Sequence, residues 1–309
     1  MAATPVFYSP WVTVDLLAGF VRADREQNLG TYGIHVHRDG EEPVEHRFRS
    51  DDRVNLYSVA KTFTAIAVGM AEAEGRLGLD DRFLDHFPEL RPAAADGFDQ
   101  VTLRHLLTMT SGTGHTWFAN MRVDAADLLH AIVAEPLVAG PGARFAYTGS
   151  GFYALGRLIA RVTGADVREY LLPRLFRPLD LHNPAWHTCP LGFPFAESDL
   201  FLRTEELARV GRLLLQDGEW EGRQLLPAGF IARMSSIRTD MKLDGDAYTD
   251  GYGLGVWLEP GGVYRMNGAY GQMVVIDPAR RAVVTVTAHG EDGNAQLAAV
   301  HELVLDRLS

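Results

Sequence analysis

Segments with the pattern of β-strands lie near both ends of this chain, and mostly helical segments lie between them. Near the start, Tyr32–Arg38 and Pro43–Phe48 form two strand-like runs joined by an Asp39-Gly40 turn. Strand-like runs return late in the sequence, at Gly255–Leu258, Val263–Met266, Met273–Ile276 and Ala282–Thr287. This order predicts an α/β (α+β) protein, in which both chain ends build one antiparallel sheet and a large helical segment is inserted between them.

Helices are predicted before the first of these strands and after the last. Residues 12–26 read as an amphipathic helix before the first strand, and residues 295–308 read as a closing helix. We therefore expect one domain over 1–309, with an α/β region formed by 1–80 and 240–309 and a mainly helical region formed by 81–239.

One further helix is predicted to be buried. The run Val59–Gly75 is apolar on nearly all sides, which indicates a central helix, and Gly75 is a suitable C-terminal stop. Ser58 lies at its start and Lys61 one turn later on the same face. Only two lysines occur in the chain, Lys61 and Lys242, and arginine carries the other basic charges. Because a buried lysine can lose its proton whereas arginine cannot, Ser58 and Lys61 are a candidate nucleophile–base pair.

Composition excludes several classes of function. The net charge of −11 argues against a nucleic-acid partner. The sequence has no basic N-terminal stretch followed by a long apolar run and no apolar run of membrane-spanning length, so we expect a cytoplasmic protein without a membrane partner. A single cysteine, Cys189, excludes an internal disulfide and is expected to be a buried or idle thiol.

Several ordered blocks extend from about residue 54 to residue 276. They begin with Tyr57–Ala65 and continue through the stretches 74–81, 101–112, 207–215 and 222–227. Together they resemble the serine β-lactamase-like superfamily, which comprises class C β-lactamases, low-molecular-weight penicillin-binding proteins and family VIII esterases, and Tyr57–Ala65 is similar to the nucleophile helix of that family. The resemblance implies that Ser58 is the nucleophile and Lys61 its base.

A second catalytic element of that family is a Tyr-x-Asn triplet, and Tyr147-Thr148-Gly149 occupies its place here. The resemblance implies that Tyr147 relays the proton of the nucleophile. Gly149 stands where the family has an asparagine that helps to hold the lysine and the substrate amide. Recognition of an amide is therefore expected to be weaker in this chain.

The third family element is Lys-Thr-Gly or His-x-Gly, and its best match is Met266-Asn267-Gly268-Ala269-Tyr270. Met266 replaces the cation, Gly268 fits a close backbone approach to a ligand, and Tyr270 is a candidate for lining the pocket. The resemblance implies an oxyanion hole formed by the N–H groups of Ser58 and Ala269. Asn267 is either a substitute polar contact or a residue that favours the turn.

Two further groups of residues have alternative interpretations. His35, His37 and His46 could form a metal cluster, but without a carboxylate or cysteine at ligand spacing a solvated strand face is favoured, and no metal or cofactor is expected. Trp117, Phe118, Trp257 and Tyr270 could line an apolar pocket, with core packing as the default.

These features together predict a serine hydrolase that acts through an acyl-enzyme on a small-molecule ester or small amide. A β-lactamase or D,D-peptidase is the first alternative, and a catalytically inactive binding protein on the same fold is the second. The acyl group, the leaving group and the oligomeric state are left open.

Overall fold

The computed structural model describes residues 10–114, 126–241 and 246–308, with side chains from residue 16 onward. The strands within these ranges are β1 Thr31–Arg38, β2 Val44–Arg47, β3 Val54–Asn55, β4 Ala185–Trp186, β5 Leu200–Leu202, β6 Glu219–Trp220, β7 Arg223–Gln224, β8 Thr239–Asp240, β9 Gly251–Tyr252, β10 Trp257–Leu258, β11 Tyr264–Gly268, β12 Gln272–Asp277 and β13 Ala282–Ala288.

The described α-helices are α1 Pro10–Gln27, α2 Ala60–Ala73, α3 Phe83–His86, α4 Leu103–Leu107, α5 Leu128–Ala134, α6 Ser150–Thr163, α7 Val167–Leu171, α8 Thr204–Leu215, α9 Ala228–Ser236 and α10 Gly293–Leu303. A short 3-10 turn, Tyr57–Val59, leads directly into α2. None of these helices combines the length and the apolar character needed to cross a bilayer.

The main sheet has eight strands in the order β2-β1-β13-β12-β11-β10-β9-β8, and neighbouring strands run antiparallel. Strand β1 from the start of the chain pairs with β13 near its end, from Thr31 opposite Ala288 to Arg38 opposite Ala282. The predicted fold class, a sheet built from both chain ends and flanked by helices, is confirmed.

Helices cover both faces of this sheet. Alternate residues of a strand point to opposite faces. Met273 and Val275 of β12 therefore pack with α1 and α10 in one core. Val274 and Ile276 pack in the larger core on the other face, which also contains α2 and α8. Helix α8 contacts β1, β12 and β13, although it lies in the stretch expected to be the helical region.

The apolar run after Ser58 forms the buried helix that its sequence predicts. Every residue of α2 from Ala60 to Ala71 is buried. The helix ends at Ala73, and Gly75 follows with φ +70°, a left-handed conformation that glycine adopts without steric cost. Lys61 is thus carried on a helix that has no water-facing side near its start.

Some predicted boundaries were wrong. The strand expected at Gly255–Leu258 contains only Trp257 and Leu258, because Gly255 has φ +76° and its N–H donates to the carbonyl of Leu107. The closing helix ends at Leu303 and is followed by a 3-10 turn. The stretch 81–239 also holds four short strands that the sequence did not reveal, β4 to β7.

For His37 the interpretation as part of a solvated strand face was wrong, while His35 and His46 are half-buried. His37 is only 7% exposed because α8 packs across that face of β1. Its ring also hydrogen-bonds Asp39. His46 is paired with Ile34, and so its side chain lies on the other face from His35 and His37. Among the described residues no three metal-ligating side chains come together.

His35 provides a test of this burial through pH. Burial lowers the pKa of His35, while the Glu45 carboxylate opposes that change. The unfolded chain takes up this proton near pH 6.5, and the folded chain only at lower pH. The free energy of unfolding is therefore higher above about pH 6.5 and decreases as the pH falls below it. We expect the free energy of unfolding, measured with urea, to fall more steeply on acidification from pH 7.5 in the wild type than in His35→Gln. Equal pH dependence in the two proteins would contradict the burial of a neutral His35.

Candidate active site

The turn that carries Ser58 is fixed by a small second sheet. Strands β3 and β5 pair, and the N–H of Leu56 donates to the carbonyl of Leu200 at 2.9 Å. Asn55 holds the turn from both sides: its Oδ1 accepts from the N–H of Tyr57 at 2.8 Å, and its Nδ2 donates to Asp199 Oδ1 at 2.8 Å. Tyr57 adopts φ +47°, a conformation that is costly for a tyrosine and that these bonds maintain.

Ser58 and Lys61 are in direct contact. Lys61 Nζ donates to Ser58 Oγ at 2.8 Å, and Lys61 is only 2% exposed. The contact follows from the helix itself, since residues three apart lie on one face. An amine at this distance can receive the hydroxyl proton whenever the amine is neutral.

A buried carboxylate lies on the other side of Lys61. Lys61 Nζ is 3.4 Å from Glu197 Oε2 and also donates to the backbone carbonyl of Glu197 at 3.1 Å. Glu197 is 3% exposed, and burial raises its pKa, while the charge of Lys61 opposes that change. The lysine is therefore buried together with a carboxylate that sequence reasoning missed.

The loop that carries Glu197 is tied to its neighbours by hydrogen bonds. Thr64 Oγ1, one turn after Lys61 on α2, donates to the carbonyl of Ala196 at 2.6 Å. Trp186 Nε1 donates to the carbonyl of Ser198 at 2.8 Å. Ala196 and Asp199 both adopt positive φ angles, 62° and 63°. The position of Glu197 is thus set by the fold on either side of it.

Tyr147 lies beside the pair. Lys61 Nζ is 5.0 Å from the centre of the half-buried Tyr147 ring, within the range of a cation–π contact. The other face of the site is aromatic: Tyr147 stacks on Trp257 with ring centres 5.1 Å apart. Trp257 itself is 6% exposed and belongs to the larger core, which agrees with the default interpretation of core packing.

Gly149 directly precedes α6. Its backbone has φ −79° and ψ −29°, which any residue can adopt. A Cβ built on Gly149 would lie 1.6 Å from Glu197 Oε2 and 2.1 Å from Glu197 Cδ. The carboxylate of Glu197 therefore fills the space that an asparagine side chain would need.

The end of β11 packs against the Ser58 turn. A Cβ on Gly268 would lie 2.3 Å from the carbonyl oxygen of Leu56, so only glycine fits there. Ala269 and Tyr270 follow in a 3-10 turn, and Asn267 is half-buried opposite Met273 of β12. Met266, which the sequence resemblance matches to the cation position of the family, is fully buried in the larger core.

An aromatic ledge, formed by Tyr57, Tyr270 and His289, lies next to the Ser58 turn. Tyr270 is 44% exposed, and its ring centre is 5.1 Å from that of Tyr57 and 4.5 Å from that of His289. The backbone of Tyr270 adopts φ +62°, a strained conformation for a tyrosine, and its ring is exposed. Such a ledge can bind an apolar or aromatic group beside the nucleophile.

Two candidates for lining a pocket, Trp117 and Phe118, lie outside the described residues, as does the second lysine, Lys242. Cys189 is buried and accepts a hydrogen bond from the Tyr153 hydroxyl at 3.3 Å.

Sequence reasoning missed Glu197, Asn55 and Thr64. Glu197 and Thr64 contact residues that are far away in the chain, and Asn55 holds the turn that carries Ser58. One signal was available for Glu197. It directly follows the apolar stretch Phe193–Ala196, and Gly149 had left the lysine without the partner that the resemblance implies.

Comparison with known proteins identifies the family of this chain. The profile of the family described as Beta-lactamase matches residues 17–309. This chain belongs to the β-lactamase family. The resemblance predicted from the sequence blocks is thereby confirmed.

Individual relatives carry different names within this family. The chain is 26% identical to the 6-aminohexanoate-dimer hydrolase of Paenarthrobacter ureafaciens, over 91% of this chain and 78% of that protein. It is 30% identical to esterase EstB of Burkholderia gladioli, over 50% of this chain and 41% of that protein. A penicillin-binding protein structure from Bacillus halodurans superimposes with a TM-score of 0.71 at 20% identity, covering 92% of this chain and 98% of the other. That last likeness concerns the fold.

Proposed function

We propose that this β-lactamase family member is a serine hydrolase of small esters or small amides, with Ser58 as nucleophile, Lys61 as base and Tyr147 as proton relay. The observation that carries the proposal is the buried contact of 2.8 Å between Lys61 Nζ and Ser58 Oγ. The names of the relatives, a dimer hydrolase and an esterase, support hydrolysis as the reaction type.

Acylation follows from this contact. Ser58 Oγ attacks the carbonyl carbon of the substrate while its proton passes to Lys61 Nζ. The bond to the leaving group then breaks, and the leaving atom takes up a proton relayed through Tyr147. Water subsequently attacks the acyl-enzyme, which releases the acid and regenerates the Ser58 hydroxyl.

The developing negative charge on the carbonyl oxygen needs N–H donors at a fixed position. The N–H groups of Ser58 and Ala269 are the candidates. The close packing of Gly268 on the carbonyl of Leu56 supports this pairing, because it holds the end of β11 against the Ser58 turn.

An uncharged acyl substrate fits the site better than a β-lactam does. At the two positions where the family meets the β-lactam carboxylate and amide, this chain has the buried Met266 and Gly149. The exposed ring of Tyr270 on the aromatic ledge favours an apolar acyl or aryl group instead.

Comparison of two substrates tests this preference. A β-lactam would lose a charge-assisted contact and a hydrogen bond, each worth about 1–3 kcal/mol. We expect kcat/KM for a p-nitrophenyl ester to exceed that for a chromogenic cephalosporin by about a hundredfold or more, with Ser58→Ala as the background for both substrates. Equal or faster cephalosporin turnover would favour the β-lactamase or D,D-peptidase alternative.

A binding protein without catalysis is the remaining alternative. It predicts that a fluorophosphonate probe leaves the chain unlabelled, whereas a serine hydrolase with an activated Ser58 forms a covalent adduct.

A further inference from the structure

Residue 149 and the Glu197 side chain compete for the same space. The helical backbone angles at position 149 do not require glycine, but a Cβ there would lie 1.6 Å from Glu197 Oε2, so a larger residue fits only if the Glu197 side chain moves. The side chain absent at position 149 is therefore replaced in space by a carboxylate from a different part of the chain.

The same carboxylate has a buried cation as its neighbour. Glu197 and Lys61 are 3% and 2% exposed, and their side chains approach to 3.4 Å. A buried charge is stable only when it is paired and hydrogen-bonded, so each group depends on the other for its position.

We infer that Glu197 is a positioning residue of the active site, which takes the place of the missing side chain at position 149 and holds Lys61 against Ser58. The inference rests on the proposed function, in which Lys61 accepts the proton of Ser58.

The role follows from where charge develops. As the bond from Ser58 Oγ to the substrate carbon forms, the hydroxyl proton moves to Lys61 Nζ and creates an ammonium ion. The Glu197 carboxylate stabilises that ion and fixes its direction, as the aspartate does for the histidine of a Ser-His-Asp triad. The other groups facing the pair are Ser58, the Tyr147 ring and the Asp199 carboxylate.

Removing the charge of Glu197 has a defined effect on catalysis. In Glu197→Gln the ammonium ion that forms on Lys61 in the transition state has lost its countercharge, so kcat falls. KM for an uncharged ester changes little, because Glu197 is buried against Lys61. Glu197→Asp keeps the charge and should retain more of kcat than Glu197→Gln, which keeps the size but not the charge.

The first experiment measures kcat and KM for a p-nitrophenyl ester in the wild type, Glu197→Gln, Glu197→Asp and the exposed control Glu219→Gln. For Glu197→Gln we expect kcat lowered by about a hundredfold with KM nearly unchanged, and for Glu197→Asp a partial recovery of kcat, while the control matches the wild type. An unchanged kcat in Glu197→Gln overturns the inference. A Glu197→Asp protein as slow as Glu197→Gln or slower also overturns it, because a side chain that only fills space is replaced better by the isosteric glutamine.

A second experiment tests whether a side chain at position 149 and the Glu197 carboxylate compete for the same space. Gly149→Ala must displace the Glu197 carboxylate from Lys61, and we expect a Tm lower by about 3 °C or more and a slower reaction of Ser58 with a fluorophosphonate. Gly151→Ala, in the same helical turn, is the matched control, because its Cβ would have no contact closer than 3.5 Å. In a Glu197→Ala background, Gly149→Ala should no longer lower Tm. A Gly149→Ala protein that behaves like Gly151→Ala overturns the inference.

Different results refute the proposed function and the role of Glu197. A wild-type chain that no fluorophosphonate labels overturns the proposed function, and the inference with it. A wild-type chain labelled at Ser58, with Glu197→Gln indistinguishable from it, overturns only the role of Glu197.

Discussion

Ser58→Ala is expected to lower kcat/KM for a p-nitrophenyl ester by at least about four orders of magnitude, because the variant has no oxygen to form the acyl-enzyme. Donors of the oxyanion hole alone can leave a small residual rate. The fold should persist, since the change removes one atom from a turn held by Asn55 and by the β3–β5 pairing. Steady-state kinetics and a thermal unfolding curve on the same preparation measure both effects.

The control is Ser236→Ala, an exposed serine at the end of α9, which should leave kcat/KM unchanged. Turnover within tenfold of the wild type in Ser58→Ala would assign the nucleophile to another residue.

Lys61→Arg should be nearly as inactive as Lys61→Ala, with kcat/KM reduced by about a thousandfold. Arginine keeps the positive charge beside Glu197, so the ion pair can persist, but it offers no neutral form to accept a proton. The substitution thus tests the role of Lys61 as a base while the ion pair with Glu197 is kept. Kinetics with the same ester measure the result.

Lys242→Arg is the matched substitution at the other lysine and should be silent. Activity of Lys61→Arg within about tenfold of the wild type, a barrier change of only about 1.4 kcal/mol, would move the role of base to Tyr147.

The parts of the fold that sequence reasoning predicted are those with a sustained period. Strands β1, β12 and β13 are long enough for alternate residues to define two faces, and α2 is apolar over its whole length. The strands it missed have two or three residues, too few to show alternation. Among them are β3 and β5, whose pairing places the loop of Glu197 beside Lys61.

The same distinction applies to the site. Ser58 and Lys61 are three residues apart on one helical face, so their contact is local and can be read from spacing. Lys61 and Glu197 are 136 residues apart, and their contact exists only once β5 has paired with β3. The glycine at position 149 marked a missing partner for the lysine, but the sequence alone did not identify the residue that replaces it.

The burial of His37 shows a related limit. The alternation of His35 and His37 along β1 predicted one shared face correctly, but it did not reveal that α8 covers that face. Burial of a polar strand face depends on which helix packs there, which is a tertiary property.

The most direct test of the account is to locate the covalent adduct of a fluorophosphonate probe. Intact mass should show one adduct per wild-type chain, and peptide mapping should place it on Ser58. The Ser58→Ala protein should remain unmodified under the same conditions. An adduct on Ser111 or Ser150, or one that persists in Ser58→Ala, would contradict the assignment of Ser58 as the nucleophile.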